Sequence, residues 1–276
     1  MNGKNISGFG KLSLSLVFSF LYVPILILIA YSFNASKLVT VWGGFSKQWY
    51  TVLFNDDAVV SAFGLSLQIA LLSSAMSVVL GILAGLVLAR FGPFQSKSLF
   101  AGMITAPMVM PEVITGLSML LLFVEMQQWF GFPAERGVLT IWVGHVTLCM
   151  AYVTVVIRSR LVEMDRSVEE AAMDLGARPL KIFFQITLPI IAPAIASSLL
   201  LAFTLSIDDL VITAFLSGPG STTLPQLIFS RVRLGLNPEI NALATITVLA
   251  VTVLVIGANR VMVKAELRRV RLAAAT

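Results

Sequence analysis

The chain has 276 residues, of which 58% are apolar and only 12% charged, with a formal net charge of +5. That balance lies far outside the range of a water-soluble domain and excludes one. The basic excess reports topology rather than nucleic-acid binding, and the single cysteine, Cys149, excludes an internal disulfide or a thiolate metal cluster.

The apolar residues fall in blocks of about 20 or more, the length a helix needs to cross about 30 Å of hydrocarbon at about 1.5 Å per residue. Barrel strands would give short alternating segments instead. The pattern predicts an all-α membrane protein, one domain over 1–276, with six spanning helices at 12–31, 62–89, 99–124, 138–157, 190–216 and 243–263. The first block is longer than the apolar region of a signal peptide and is expected to be retained. The second carries Ser66, Ser73, Ser74, Ser77, Gly81 and Gly85, a small face suited to close helix packing. The third holds Glu112 between Pro107 and Pro111, and the fourth holds His145, expected to make an interhelical hydrogen bond. A polar loop follows at 158–189, and the fifth block contains Asp208 and Asp209. Arg231, Arg233 and Glu239, before the sixth block, read as solvated loop charges.

Of the 19 Lys and Arg residues, fourteen flank one set of span ends, including Lys4, Lys11, Arg90, Arg166, Arg178 and the tail Arg260, Arg268, Arg269 and Arg271. This bias predicts that both termini and the 158–189 loop are cytoplasmic. Tyr31, Trp42, Trp49, Tyr50, Trp129 and Trp142 gather toward the opposite side, as an aromatic belt would.

An aspartate at a helix centre costs about 2.5–3.5 kcal/mol to insert, so intramembrane acids are functional candidates. In continuous helices, Glu112 would lie roughly 20 Å from the cytoplasmic end of the third span and Asp208 and Asp209 roughly 28 Å along the fifth. Both helices run outward, so the three carboxylates can meet in the outer half of the membrane. Pro107 and Pro111 free backbone carbonyls there. Carboxylates and carbonyls suit ammonium groups, and a methylene chain can lie on neighbouring Leu, Met and Phe surface, so a diamine or polyamine is sensible cargo. Neighbouring helical positions diverge by about 100°, so one of Asp208 and Asp209 is expected to be structural. The sequence shows no catalytic constellation, no metal-ligand spacing and no GxxxxGK[ST] phosphate loop. No enzymatic activity and no cofactor are expected of this chain.

Within the loop, Ser167 and Glu170 match a capping box, and Glu169 and Glu170 suit the positive end of a helix dipole. Ala171, Ala172 and Leu175 give the short helix a small face, and Gly176 is expected to stop it in a left-handed conformation. After Pro179, the residues Leu180, Phe183, Phe184 and Ile186 can lie at the membrane interface, and Pro189 is expected to open the fifth span. Such a helix can dock in a partner's groove; a solvated loop with incidental alanines is the alternative.

Glu170-Ala171-Ala172, three residues, Gly176, nine residues, then Ile186-x-Leu188-Pro189 resembles the EAA signature of permease subunits of binding-protein-dependent ABC importers. "YSFNASKLVTVWGGFSKQWY", "ITAPMVMPEVITGLSMLLLF", "LAFTLSIDDLVITAFLSGPGSTTLP" and "NPEINALATI" are similar to the polyamine branch, most of all to second permease subunits of putrescine importers. The resemblance implies a type I importer permease fold in a bacterial inner membrane, forming half of a translocation pathway. It implies that Glu170, Ala171, Ala172, Asp174 and Gly176 couple to an ATPase, and it is compatible with Glu112, Asp208 and Asp209 along the substrate path. The implied partners are a homologous second permease, two cytoplasmic ATPase subunits, a periplasmic polyamine-binding protein and membrane lipid, with no nucleic acid. Alternatives are a permease of the same family for spermidine, another organic cation, a sugar or an iron complex, or a self-sufficient secondary transporter.

Overall fold

The structure, a computed structural model, describes residues 7–38, 41–234 and 238–273, with side chains throughout except at 254, 258, 261, 262 and 265–273. Lys4 and the side chains of Arg268, Arg269 and Arg271 therefore lie outside the described residues, as does Asn237 of the last quoted stretch. The described chain is helical: α1 (Gly8–Tyr31), α2 (Gln48–Phe54), α3 (Asp57–Arg90), α4 (Lys97–Val109), α5 (Glu112–Phe130), α6 (Val138–Glu163), α7 (Ser167–Asp174), α8 (Pro179–Ile182), a π turn (Phe183–Thr187), α9 (Leu188–Ile207), α10 (Val211–Leu216), α11 (Leu224–Leu234) and α12 (Pro238–Ala273). Six helical stretches are long and apolar enough to cross a membrane: Gly8–Tyr31, Asp57–Arg90, Glu112–Phe130, Val138–Glu163, Pro179–Ile207 and Pro238–Gly257.

Two of the expected spans are interrupted where the acids lie. The block expected as one helix over 99–124 is two, because Pro111 lacks a backbone N–H and steers Met110 out of the helical region. Met110 is extended, at φ −76° and ψ 142°, so α4 stops at Val109 and α5 starts at Glu112. The fifth begins at Pro179 rather than at 190 and passes through the π turn. Pro189 brings no N–H to the ladder, and the turn that widens just before it accommodates that loss without ending the helix. The same helix ends at Ile207, short of the expected 216, because the short side chains of the next two residues favour local backbone bonding over helix.

The contacts divide the chain into two units, one of residues 1–60 and 227–252, the other of 61–226 and 253–276. In the first, the loop after α1 is organised by buried Asn34: its Oδ1 accepts from the Ser36 and Gly43 amides at 3.1 and 2.7 Å, its Nδ2 donates to Val41, and Trp49 Nε1 donates to its carbonyl. Arg231 bridges Asp56 and Glu239, so two of the charges read as solvated belong to a partly buried network. The Arg231 guanidinium bonded to Asp56 holds that carboxyl below the usual aspartate range.

In the second unit α6 is the central element. Val78, Ile82, Val153, Ile157, Leu161 and Ile191 form one core cluster, from α3, α6 and α9. Ile69, Phe123, Ile141, Leu148, Ile212 and Leu216 form another, from α3, α5, α6 and α10. The small face of α3 is used as expected: all four serines are buried, Ser77 Oγ donates to the Val146 carbonyl at 3.2 Å, and a Cβ on Gly81 would stand 2.5 Å from Val153 Cγ1.

Candidate functional site

The two helix interruptions meet. α10 is wedged between α5 and α6, and the approach requires glycine on both sides: a Cβ at Gly116 would lie 2.7 Å from the Phe215 ring, and one at Gly144 would lie 2.5 Å from Leu216 and 2.8 Å from Ile212. Gly116 is one turn beyond Glu112, so the packing that seats α10 also places the start of α5 beside the 208–210 break. The Glu112 carboxylate lies within electrostatic reach of both Asp208 and Asp209. The three acids expected to converge do so, at helix ends rather than inside continuous helices.

Their environments differ. Asp209 is only 8% exposed, and its Oδ1 accepts from the Thr213 amide at 2.8 Å and the Thr213 hydroxyl at 3.0 Å. It satisfies an N–H group at the start of α10 that the break would otherwise leave unpaired. His145 on α6 approaches the same oxygen with Nε2 at 3.2 Å and Thr213 Oγ1 at 2.9 Å, while its Nδ1 pairs with Ser206 Oγ at 2.7 Å. Both ring nitrogens are engaged, Nε2 with Asp209 and Thr213 and Nδ1 with Ser206. His145 thus ties α6 to α9 and α10 across the interruption, the interhelical role expected of it. Glu112 and Asp208 are exposed on the surface of the chain. Among the described residues no cluster of His, Cys, Asp and Glu is arranged to hold a metal ion.

Asp209→Ala should therefore behave as a structural lesion. Loss of the cap and of the His145 contact is expected to destabilise the chain by about 1–3 kcal/mol. Thermal unfolding of the purified protein in detergent checks this; a melting temperature equal to that of the unsubstituted chain contradicts it.

The second site is α7. It begins at Ser167 itself, so the expected capping box with Glu170 does not form: Asp165, two residues earlier, accepts from the Ser167 amide at 2.9 Å. That contact holds the Asp165 carboxyl below its usual range. The stop is as expected. Gly176 has φ +81°, its amide donates to Met173 at 2.8 Å, and Ala177 donates to Ala172 at 3.0 Å, the paired bonds of a Schellman ending. Glu170, Ala171, Asp174 and Gly176 are exposed, Ala172 is half-buried, and Leu175 is 90% exposed. Met173 and Leu180 beside them are exposed as well.

Glu169 has a role that the sequence reading reduced to helix-dipole complementarity. Its Oε2 pairs with Arg90 Nε at 2.8 Å and its Oε1 accepts from Thr187 Oγ1 at 2.7 Å, joining α7 to the end of α3 and to the π turn. The available signal was a lone arginine, Arg90, closing a long apolar helix.

Residues 77–270 match the family model described as binding-protein-dependent transport system inner membrane component. The chain is 62% identical over 258 residues to the putrescine transport system permease protein PotI of Escherichia coli (strain K12), covering 94% of this chain and 92% of the relative. It is 40% identical to the spermidine/putrescine transport system permease protein PotC of Haemophilus influenzae, covering 87% and 91%. Among solved structures, a bacterial ABC transporter involved in the import of the acidic polysaccharide alginate superposes with a TM-score of 0.69 at 15% identity, over 94% of this chain and 98% of that one. The MetNI methionine ABC transporter gives 0.62 at 17% identity over 79% and 98%, and both likenesses bear on the fold alone.

Proposed function

Because this chain belongs to the binding-protein-dependent transport system inner membrane components, we propose that it is a permease subunit of an ATP-driven importer whose cargo is a polyamine, putrescine foremost. The observation that carries the cargo is the convergence of the exposed Glu112 and Asp208 carboxylates where two membrane helices are interrupted. The 62% identity to a putrescine permease supports it.

In this reading the chain supplies half of a pathway in a bacterial inner membrane and the other half comes from a homologous permease. Both termini and α7 face the cytoplasm, where two ATPase subunits hydrolyse ATP, and a polyamine-binding protein delivers cargo from the periplasm. An interrupted helix leaves backbone groups that only a cavity or a neighbour can satisfy, so polar breaks line paths rather than lipid. Glu112 and Asp208 offer anionic partners to an ammonium group shedding its water, while Asp209 is already engaged with Thr213 and His145. Glu170, Ala171, Ala172, Asp174 and Gly176 form the surface that meets the ATPase.

The test is uptake of labelled putrescine into vesicles holding the complete complex, with ATP and the binding protein added separately and together. Uptake is expected only when both are present. Uptake by this chain alone without ATP would make it a secondary transporter, and uptake of spermidine with none of putrescine would move the cargo.

A further inference from the structure

We propose that Glu169 is a positioning residue that makes the coupling helix and two membrane helices move as one body. The inference rests on the reading that α7 meets an ATPase, and it assigns the step after docking. Four contacts made by charged side chains converge at the ends of the membrane helices beside α7. Glu169 holds Arg90 at the end of α3 and Thr187 in the π turn that leads into α9. The Arg90 and Glu169 side chains are only 15% and 14% exposed, so this ion pair is shielded from the screening that weakens surface pairs. Arg90 Nη1 also donates to the Leu161 carbonyl at the end of α6, at 2.8 Å, and Arg166, just before α7, donates from Nη2 to the Ala89 carbonyl at 2.7 Å. The last carbonyls of α3 and α6 are thereby capped by guanidinium groups that are themselves fixed to α7 or its leading residue.

The arrangement has a mechanical meaning. Glu169 is half-buried against Arg90 and Thr187, while its neighbours Glu170 and Ala171 are exposed. A push on the exposed face reaches α3 and the α8 to α9 helix through one carboxylate that bonds both. The π turn at 183–187 is the compliant place in that helix, since a widened turn has poorer ladder geometry than its neighbours, and Thr187 closes it onto Glu169. Without the Glu169 contacts, α7 can still dock but can tilt on its own connections while α3 and α9 stay in place.

The consequence is uncoupling rather than loss of assembly. In the complete complex in vesicles, Glu169→Gln keeps an acceptor for Thr187 and removes the charge facing Arg90, and Thr187→Val removes the second contact. The double variant is expected to co-purify normally with the ATPase subunits and to retain at least half of the binding-protein-stimulated ATP hydrolysis. Putrescine taken up per ATP should fall by about tenfold. The exchange variant Arg90→Glu with Glu169→Arg, which restores an opposite-charge pair, should recover part of that ratio over Arg90→Glu alone. An unchanged uptake-to-ATP ratio in the double variant would overturn the proposal, and so would uptake and hydrolysis falling in parallel with assembly intact. Loss of co-purification in the double variant is a different result: it would overturn this proposal by placing the Glu169 contacts in docking itself, while the coupling-site reading, tested separately by Gly176→Val, would stand.

Discussion

Gly176→Val is expected to lower transport about tenfold while leaving membrane insertion unchanged. At φ +81° the backbone is in the left-handed region, where a side chain with a Cβ is disfavoured by about 1–2 kcal/mol and a β-branched one more. Among the described residues, its two chain neighbours aside, no atom lies within 4 Å of a Cβ placed there, so the penalty is conformational rather than a clash. Relief comes by unwinding the Schellman ending, which releases the Met173 and Ala172 carbonyls and turns exposed Leu175 away from its present direction. A groove shaped to α7 loses both its fit and its register. Uptake, co-purification of the ATPase subunits and stimulated ATP hydrolysis should all decline, with amounts of the permease in the membrane unaltered. Normal values for all three would remove α7 from the coupling interface.

Glu112→Gln combined with Asp208→Asn should reduce putrescine uptake by ten- to a hundredfold with the complex intact. A hydrogen bond to a charged group contributes about 1.5–3 kcal/mol, and the amides keep size while giving up the anion. Both side chains are exposed on this chain and neither substitution opens a cavity in it. Asp209→Ala is the contrasting lesion, because its carboxylate is spent on the start of α10 and on His145. Uptake by the double variant equal to that of the unsubstituted complex would assign cargo selection to the partner subunits.

The convergence of the three acids was foreseen from continuous helices, and its geometry was not. Sequence placed Glu112, Asp208 and Asp209 in the outer half of their spans because apolar block length and rise per residue fix depth almost without reference to packing. It marked Pro107 and Pro111 as loosening the backbone, but a proline inside an apolar block can kink a helix or end it, and only the surroundings decide. Pro24, Pro107 and Pro193 lie within helices here, whereas Pro111 follows an extended Met110. The choice between Asp208 and Asp209 was reducible to one facing outward and one inward, and the Thr213 and His145 contacts made it.

What the sequence determined by itself is local or periodic: the six-span helical class, the short helix α7, and its stop at Gly176, whose left-handed turn is a property of the residue and its immediate neighbours. What only the tertiary structure decided is long-range. Glu169 reaches Arg90 and Thr187, and Arg90 reaches the Leu161 carbonyl, all far apart in the chain. Gly116 and Gly144 admit α10 only because α5 and α6 converge there. Hydropathy records how much of a helix is apolar, but not which neighbour fills its small face or which carbonyl an arginine finds; those depend on distances between segments that no local pattern encodes.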